Sequence, residues 1–176
     1  MDDILRYASI SIPNWWVFIS FSVLSIGIVG SVIACKDRTS LRKSIILLVL
    51  AEYIFLVLCV TIFCRPSIGE PHIRLMPFTT YIDFFTTEKS YLPAEILEEI
   101  SMNVLMFLPI GALLTCLSFD YLQLILSAIS LSFVIELLQF KLCRGCGETN
   151  DIIHNTLGAW IGFSIMRLLI RTIRKN

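Results

Sequence analysis

The sequence predicts an all-α integral membrane protein, a helical bundle of about five transmembrane helices with its N-terminus outside and its C-terminus in the cytoplasm. Three observations carry that expectation. Hydrophobic residues make up 56% of the 176 and charged residues only 16%, with a mean hydropathy of +0.81, well outside the balance of a soluble domain. Five apolar stretches are each long enough, or nearly so, to cross a bilayer. Lys and Arg gather in two clusters, and such clusters mark cytoplasmic connections. The formal net charge is zero, so no strongly basic surface invites nucleic acid. No Gly/Ser-rich or Pro-rich linker divides the chain, which reads as a single membrane domain over 1–176.

The first span, 15–34, follows an Ile-Pro-Asn-Trp-Trp entry whose tryptophans suit a membrane interface. Asp2, Asp3 and the length of the apolar run fit a cleaved leader poorly. Lys36, Arg38, Arg42 and Lys43 then crowd a connection that the positive-inside rule places in the cytoplasm. The second span, 44–63, carries Glu52, either a buried functional acid or one near enough to the cytoplasmic end to reach water. Residues 64–100 hold four of the six prolines and more acids than Lys plus Arg. They predict an outer loop with at most short interfacial helices. The third span runs from about 99–103 to Leu117, with a kink predicted at Phe107–Gly111 by Pro109 and Gly111. Phe119 and Asp120 turn the chain into the fourth span, 121–140. The fifth span, 152–170, ends in Arg167, Arg171, Arg174 and Lys175, a second cytoplasmic cluster.

In that orientation the polar residues of three helices and two loops fall at one extracytoplasmic level. Ser132, Glu136 and Gln139 recur at spacings of four and three, and Asp151 and Asn155 repeat the pattern on the next helix. A carboxylate inside an apolar helix persists where it meets a partner or a water-filled cavity, and Lys141 and Arg144 follow Glu136 closely. The candidate ligand-binding set is Arg74, Asn103, Glu136, Gln139, Arg144, Asp151 and Asn155. Two chemistries are open. A desolvated Glu136 suits general acid–base work, with Asp151 beside it, unless Lys141 or Arg144 holds it ionised. Arg74 and Arg144 could instead grip a phosphate or carboxylate, as found on undecaprenyl-type lipid head groups and peptide termini. The bland alternative is that Asp151 caps the fifth helix and Asn155 bonds across the bundle.

The remaining signals are weaker. Cys143 and Cys146 form a lone CxxC, poor evidence for zinc without a second pair, though a local disulfide is open on the outer face. His72 and His154 read as hydrogen-bonding residues of a loop and a helix end rather than ligands. Gly158 and Gly162 form a GxxxG, suited to close packing within the bundle or to an oligomer. No nucleophile motif, phosphate loop, metal site or cofactor motif is present.

Leu75-Met76-Pro77-Phe78, Asn103-x3-Phe107-x-Pro109-x-Gly111, Ser132-x3-Glu136-x2-Gln139 and Glu148-x2-Asp151-x3-Asn155-Thr156-x-Gly158 follow one another in this order. In order and spacing they resemble the VanZ-like family over about 74–162; the first two spans match by hydropathy alone. The family takes its name from a polytopic membrane protein associated with low-level resistance to teicoplanin, a lipidated glycopeptide antibiotic, and it has no established reaction. The chain departs from the pattern at Arg74, where Asn is frequent, and in the Cys143–Gly147 loop. The resemblance implies a multi-pass protein of the bacterial plasma membrane, in glycopeptide resistance or envelope homeostasis. Its outer polar site would bind a lipid-linked cell-wall precursor or a lipoglycopeptide. The alternative is a membrane-embedded enzyme acting on a lipid-phosphate or glycan substrate, with Glu136 as acid or base.

Overall fold

A computed structural model of the chain describes residues 22–24, 26–28, 30–31, 37–78 and 93–175. The first predicted span, 15–34, lies for the most part outside the described residues, and its described pieces are helical. The chain separates into two compact units, residues 1–67 and 68–176.

In the first unit, helix α1 runs Arg38–Leu58, beginning ahead of the apolar run that predicted it. The reason is a cap: Asp37 Oδ1 accepts from the Ser40 backbone N–H at 2.8 Å, which satisfies a donor with no partner inside the helix. At its far end α1 widens into a π turn, Cys59–Phe63, with the Cys64 N–H reaching the Cys59 carbonyl at 2.8 Å. Glu52 is half-buried in α1, and its Oε1 has no hydrogen-bond partner among the described residues.

The second unit contains strand β1 (His72–Arg74), helix α2 (Pro93–Cys116), helix α3 (Tyr121–Lys141), strand β2 (Cys146–Glu148) and helix α4 (Thr149–Ile173). Helix α2 starts inside the stretch predicted to be loop, at Pro93, because a proline at a first helical position sacrifices no helix hydrogen bond. It stays helical through Phe107–Gly111, where the kink was predicted. Asp120 and Gln123 form a reciprocal capping box ahead of α3. The fourth and fifth spans appear as α3 and α4, with α4 extended at both ends.

Four helical segments among the described residues, Arg38–Phe63, Ile96–Cys116, Tyr121–Lys141 and Thr149–Ile173, are long and apolar enough to cross a membrane. At 1.5 Å per residue they reach about 31 to 39 Å, against roughly 30 Å of bilayer hydrocarbon. Leu105, Leu122, Leu126, Phe133 and Leu168 stand exposed on α2, α3 and α4, as lipid-facing side chains do. The all-α membrane class follows from these lengths and faces.

Helix α4 is the hub of the second unit: α2 packs mainly on it, α3 packs on it, and α2 and α3 touch little. Bonds from Asn103 to Asp151 and from Thr115 to the Phe163 carbonyl both join residues 48 apart in sequence, so α2 and α4 run parallel. Three glycines set how near they come. A Cβ on Gly158 would overlap the Val104 carbonyl, one on Gly162 the Leu108 carbonyl, and one on Gly111 the Ala159 carbonyl. The GxxxG of α4 is therefore used inside the chain, against α2. In lipid, where apolar burial gives no net drive, such backbone proximity is the main source of helix adhesion.

Adding a methyl at these points forces the helices apart. Alanine at Gly158 or Gly162 should destabilise the protein by about 1–3 kcal/mol in detergent unfolding. Gly30→Ala, where a Cβ meets nothing within 4 Å, should change stability by less than about 0.5 kcal/mol.

Candidate functional site

The polar site forms where α3 ends and α4 begins. Along the last turns of α3, Ser132, Glu136 and Gln139 are all buried, with Glu136 6% exposed, as their spacing required. The chain then reverses through Cys143, at φ 51°, and Gly145, at φ 152°. The Arg144 N–H closes the turn on the Gln139 carbonyl at 2.9 Å. Strand β2 follows, lying against the end of α3. Gly147 lies close to the Glu136 carbonyl, where even a Cβ would be in ordinary van der Waals contact at 3.4 Å. That placement carries the Glu148 backbone N–H to Glu136 Oε2 at 2.9 Å.

Segment 68–78 is drawn over this junction as a strap. The Ile68 N–H donates to the Cys143 carbonyl at 2.7 Å. Strand β1 pairs in parallel with β2, matching His72 with Cys146, Ile73 with Gly147 and Arg74 with Glu148. Beyond the strand, the Thr149 hydroxyl donates to the Leu75 carbonyl at 2.9 Å and the Phe78 N–H donates to Asn150 Oδ1 at 2.8 Å. Buried polar backbone needs hydrogen-bond partners, and the strap supplies them. Arg74 lies on its outer side, its guanidinium 3.2 Å from Glu148 Oε1 and its side chain 47% exposed.

Five of the seven candidates fall into three bonded sets, and Gln139 and Arg144 meet through their backbones. Arg74, Glu148 and Glu136 form a chain from surface to interior. Asn103 donates to Asp151 Oδ1 at 2.7 Å, joining α2 to α4. Asn155 donates to the Ser132 hydroxyl at 2.8 Å, joining α4 to α3, while its buried Oδ1 has no hydrogen-bond partner among the described residues. Gln139 is buried and Arg144 half-buried in the turn.

Two expectations are corrected. Glu136 meets the Glu148 N–H, and Lys141, one of the partners proposed from sequence, stands exposed. Asp151 does not cap α4. Glu148 holds the N-cap position, and Asp151 sits in the first helical turn, where an acid is favoured by the helix dipole. His154 is buried near the start of α4. Sequence reasoning left Glu148 out of the site, although it stands in the family pattern. Its one local signal is position, an acid immediately ahead of an apolar helix.

Cys143 and Cys146 are free thiols. Burial pushes the Cys146 thiol up to about 11, and the charge of Glu148 and a hydrogen bond to it add to the effect, against a lowering by Arg74. A thiol so held is protonated at neutral pH and a poor nucleophile. Among the described residues no group of three or more His, Cys, Asp and Glu could hold a metal ion.

The VanZ/LLP1 family model matches residues 45–171, most of the chain and all of the junction. The chain belongs to the VanZ/LLP1 family. No curated protein and no solved structure gives a match. The matched interval of this VanZ/LLP1 member extends beyond the motif-bearing 74–162 at both ends, into α1 and along α4. With four apolar helices of spanning length, it is a multi-pass membrane protein.

Two outcomes follow. Glu136→Ala strands the Glu148 N–H and should cost about 1–3 kcal/mol in unfolding, whereas Glu136→Gln keeps an acceptor and should cost less. With Cys146 as the sole cysteine, its alkylation rate should climb until pH about 11, past the ordinary thiol value of 9.0. Glu148→Gln should move that plateau down.

Proposed function

We propose that the polar junction is an outer-leaflet binding site of the bacterial plasma membrane for a lipid-linked, anionic cell-wall precursor or a lipidated glycopeptide, and that through it this VanZ/LLP1 member contributes to glycopeptide resistance or envelope homeostasis. The observation that carries the reading is Arg74. It is half-exposed, anchored through one guanidinium nitrogen on Glu148, and flanked by exposed Ile73, Leu75 and Met76. A fixed cation beside an apolar lip suits a ligand that is charged at one end and hydrocarbon at the other. An arginine retains further donors after one ion pair, and guanidinium matches phosphate geometry.

Behind Arg74, the buried Glu136, Gln139 and Asn155, with Asn103, Asp151 and Arg144, hold the strap and helix ends in one arrangement. Preorganisation of that kind lowers the ordering cost of binding. Glu136 accepts a backbone N–H, and this supports binding over general acid–base catalysis.

The test uses full-length protein in detergent with undecaprenyl phosphate and, as a matched uncharged probe, undecaprenol. Arg74→Gln should weaken undecaprenyl phosphate by about tenfold or more and leave undecaprenol unchanged. Equal binding of the phosphate by folded wild type and variant would overturn the proposal.

A further inference from the structure

A second site lies at the opposite end of α3 and α4. There a groove of about 460 Å³ is bounded by Tyr121, the first residue of α3, and by Trp160, Phe163, Arg167, Leu168 and Arg171 on the last turns of α4. Trp160, Leu168 and Arg171 recur at helical spacing, so the wall is one face of α4 that changes in character along its length. Its deeper part is apolar and its outer part cationic. From Trp160 to Arg171 the helix rises about 16 Å, close to the roughly 15 Å of hydrocarbon in one leaflet.

The charge of the groove is uncompensated among the described residues. Among the described residues no carboxylate lines it, and neither Arg167 nor Arg171 has an ion-pair partner. The neighbouring acid, Asp120, is occupied at the start of α3, where its Oδ1 accepts from the Gln123 N–H. Arg167 lies with its guanidinium carbon 5.6 Å from the centre of the Phe163 ring, which fixes its stem along the groove while leaving its N–H donors available. The Tyr121 side chain is exposed at the mouth.

We infer that this groove holds one anionic phospholipid of the cytoplasmic leaflet, its phosphate between Arg167 and Arg171 and an acyl chain along Trp160 and Leu168. The apolar wall favours a membrane lipid over a soluble phosphate. The two arginines favour an anionic head group over a zwitterionic one, since basic pockets between transmembrane helices on the cytoplasmic side recognise such head groups. The positive-inside rule places these arginines in that leaflet. The inference is independent of the ligand at the polar junction.

Native mass spectrometry of the full chain, released from vesicles of equimolar phosphatidylcholine and phosphatidylglycerol, tests it. Wild type should retain phosphatidylglycerol preferentially. R167Q/R171Q should lower that retention about tenfold or more, and R171Q alone, which leaves the Arg167–Phe163 stack, should lower it less. R174Q/K175Q, an equal loss of charge outside the groove, should keep the preference. Thermal melting establishes that each variant is folded. Equal retention of the two lipids by wild type, unchanged retention in folded R171Q, or equal losses in R167Q/R171Q and R174Q/K175Q would each overturn the inference. So would saturation by soluble glycerophosphate, which would mark a simple anion site.

Discussion

The close parallel approach of α2 and α4 is the constraint on which the second unit depends. Two apolar helices in lipid gain nothing from hiding hydrocarbon from water, so they must gain from contact itself. Gly111, Gly158 and Gly162 allow backbone to meet backbone, and the register so imposed sets Asn103 opposite Asp151. Helix α3 must then serve as the returning connection, because parallel neighbours need a crossover. Its end is thereby delivered beside the start of α4.

That geometry creates a difficulty which the strap resolves. The end of α3, the start of α4 and the turn between them leave buried backbone N–H and carbonyl groups that are costly when unsatisfied. The 68–78 segment supplies partners through strand pairing and through its bonds to Cys143, Thr149 and Asn150. Glu136 supplies another by accepting from Glu148. Buried acid here is structural in the first instance, and it is this rigid lattice that leaves Arg74 fixed and half-exposed at the edge. The binding role assigned to the junction thus rests on a side effect of satisfying backbone polarity.

The two ends of α3 and α4 consequently differ in kind. At one end carboxylates and amides are drawn inward; at the other, Arg167 and Arg171 line a groove with no acid among the described residues. The same asymmetry that orients such a chain in a membrane gives it two chemically distinct surfaces. One offers a single anchored cation beside an apolar lip, the other a pair of cations above an apolar wall.

The class of the protein, four apolar helices of spanning length and the shared face of Ser132, Glu136 and Gln139 were legible in the sequence, because they depend on local quantities. Apolar length defines a span, and the spacing of Ser132, Glu136 and Gln139 puts them on one face whatever that face meets. The ordered motifs from Leu75 to Gly158 were enough to suggest the family. What local pattern could not supply was who meets whom. Strand β1 is three residues long and exposed, so it carries no periodicity to read; it exists because β2, far along the chain, lies alongside it. Glu136 accepts the Glu148 N–H because β2 lies against the end of α3. Asp151 left the cap position to Glu148 and turned to Asn103 because α2 was held close by glycine. By itself the sequence determined which residues are buried in a membrane helix and which face they share. Their partners, and therefore the shape of both sites, were decided only by the tertiary structure, since pairing between distant segments depends on how closely the backbones can approach.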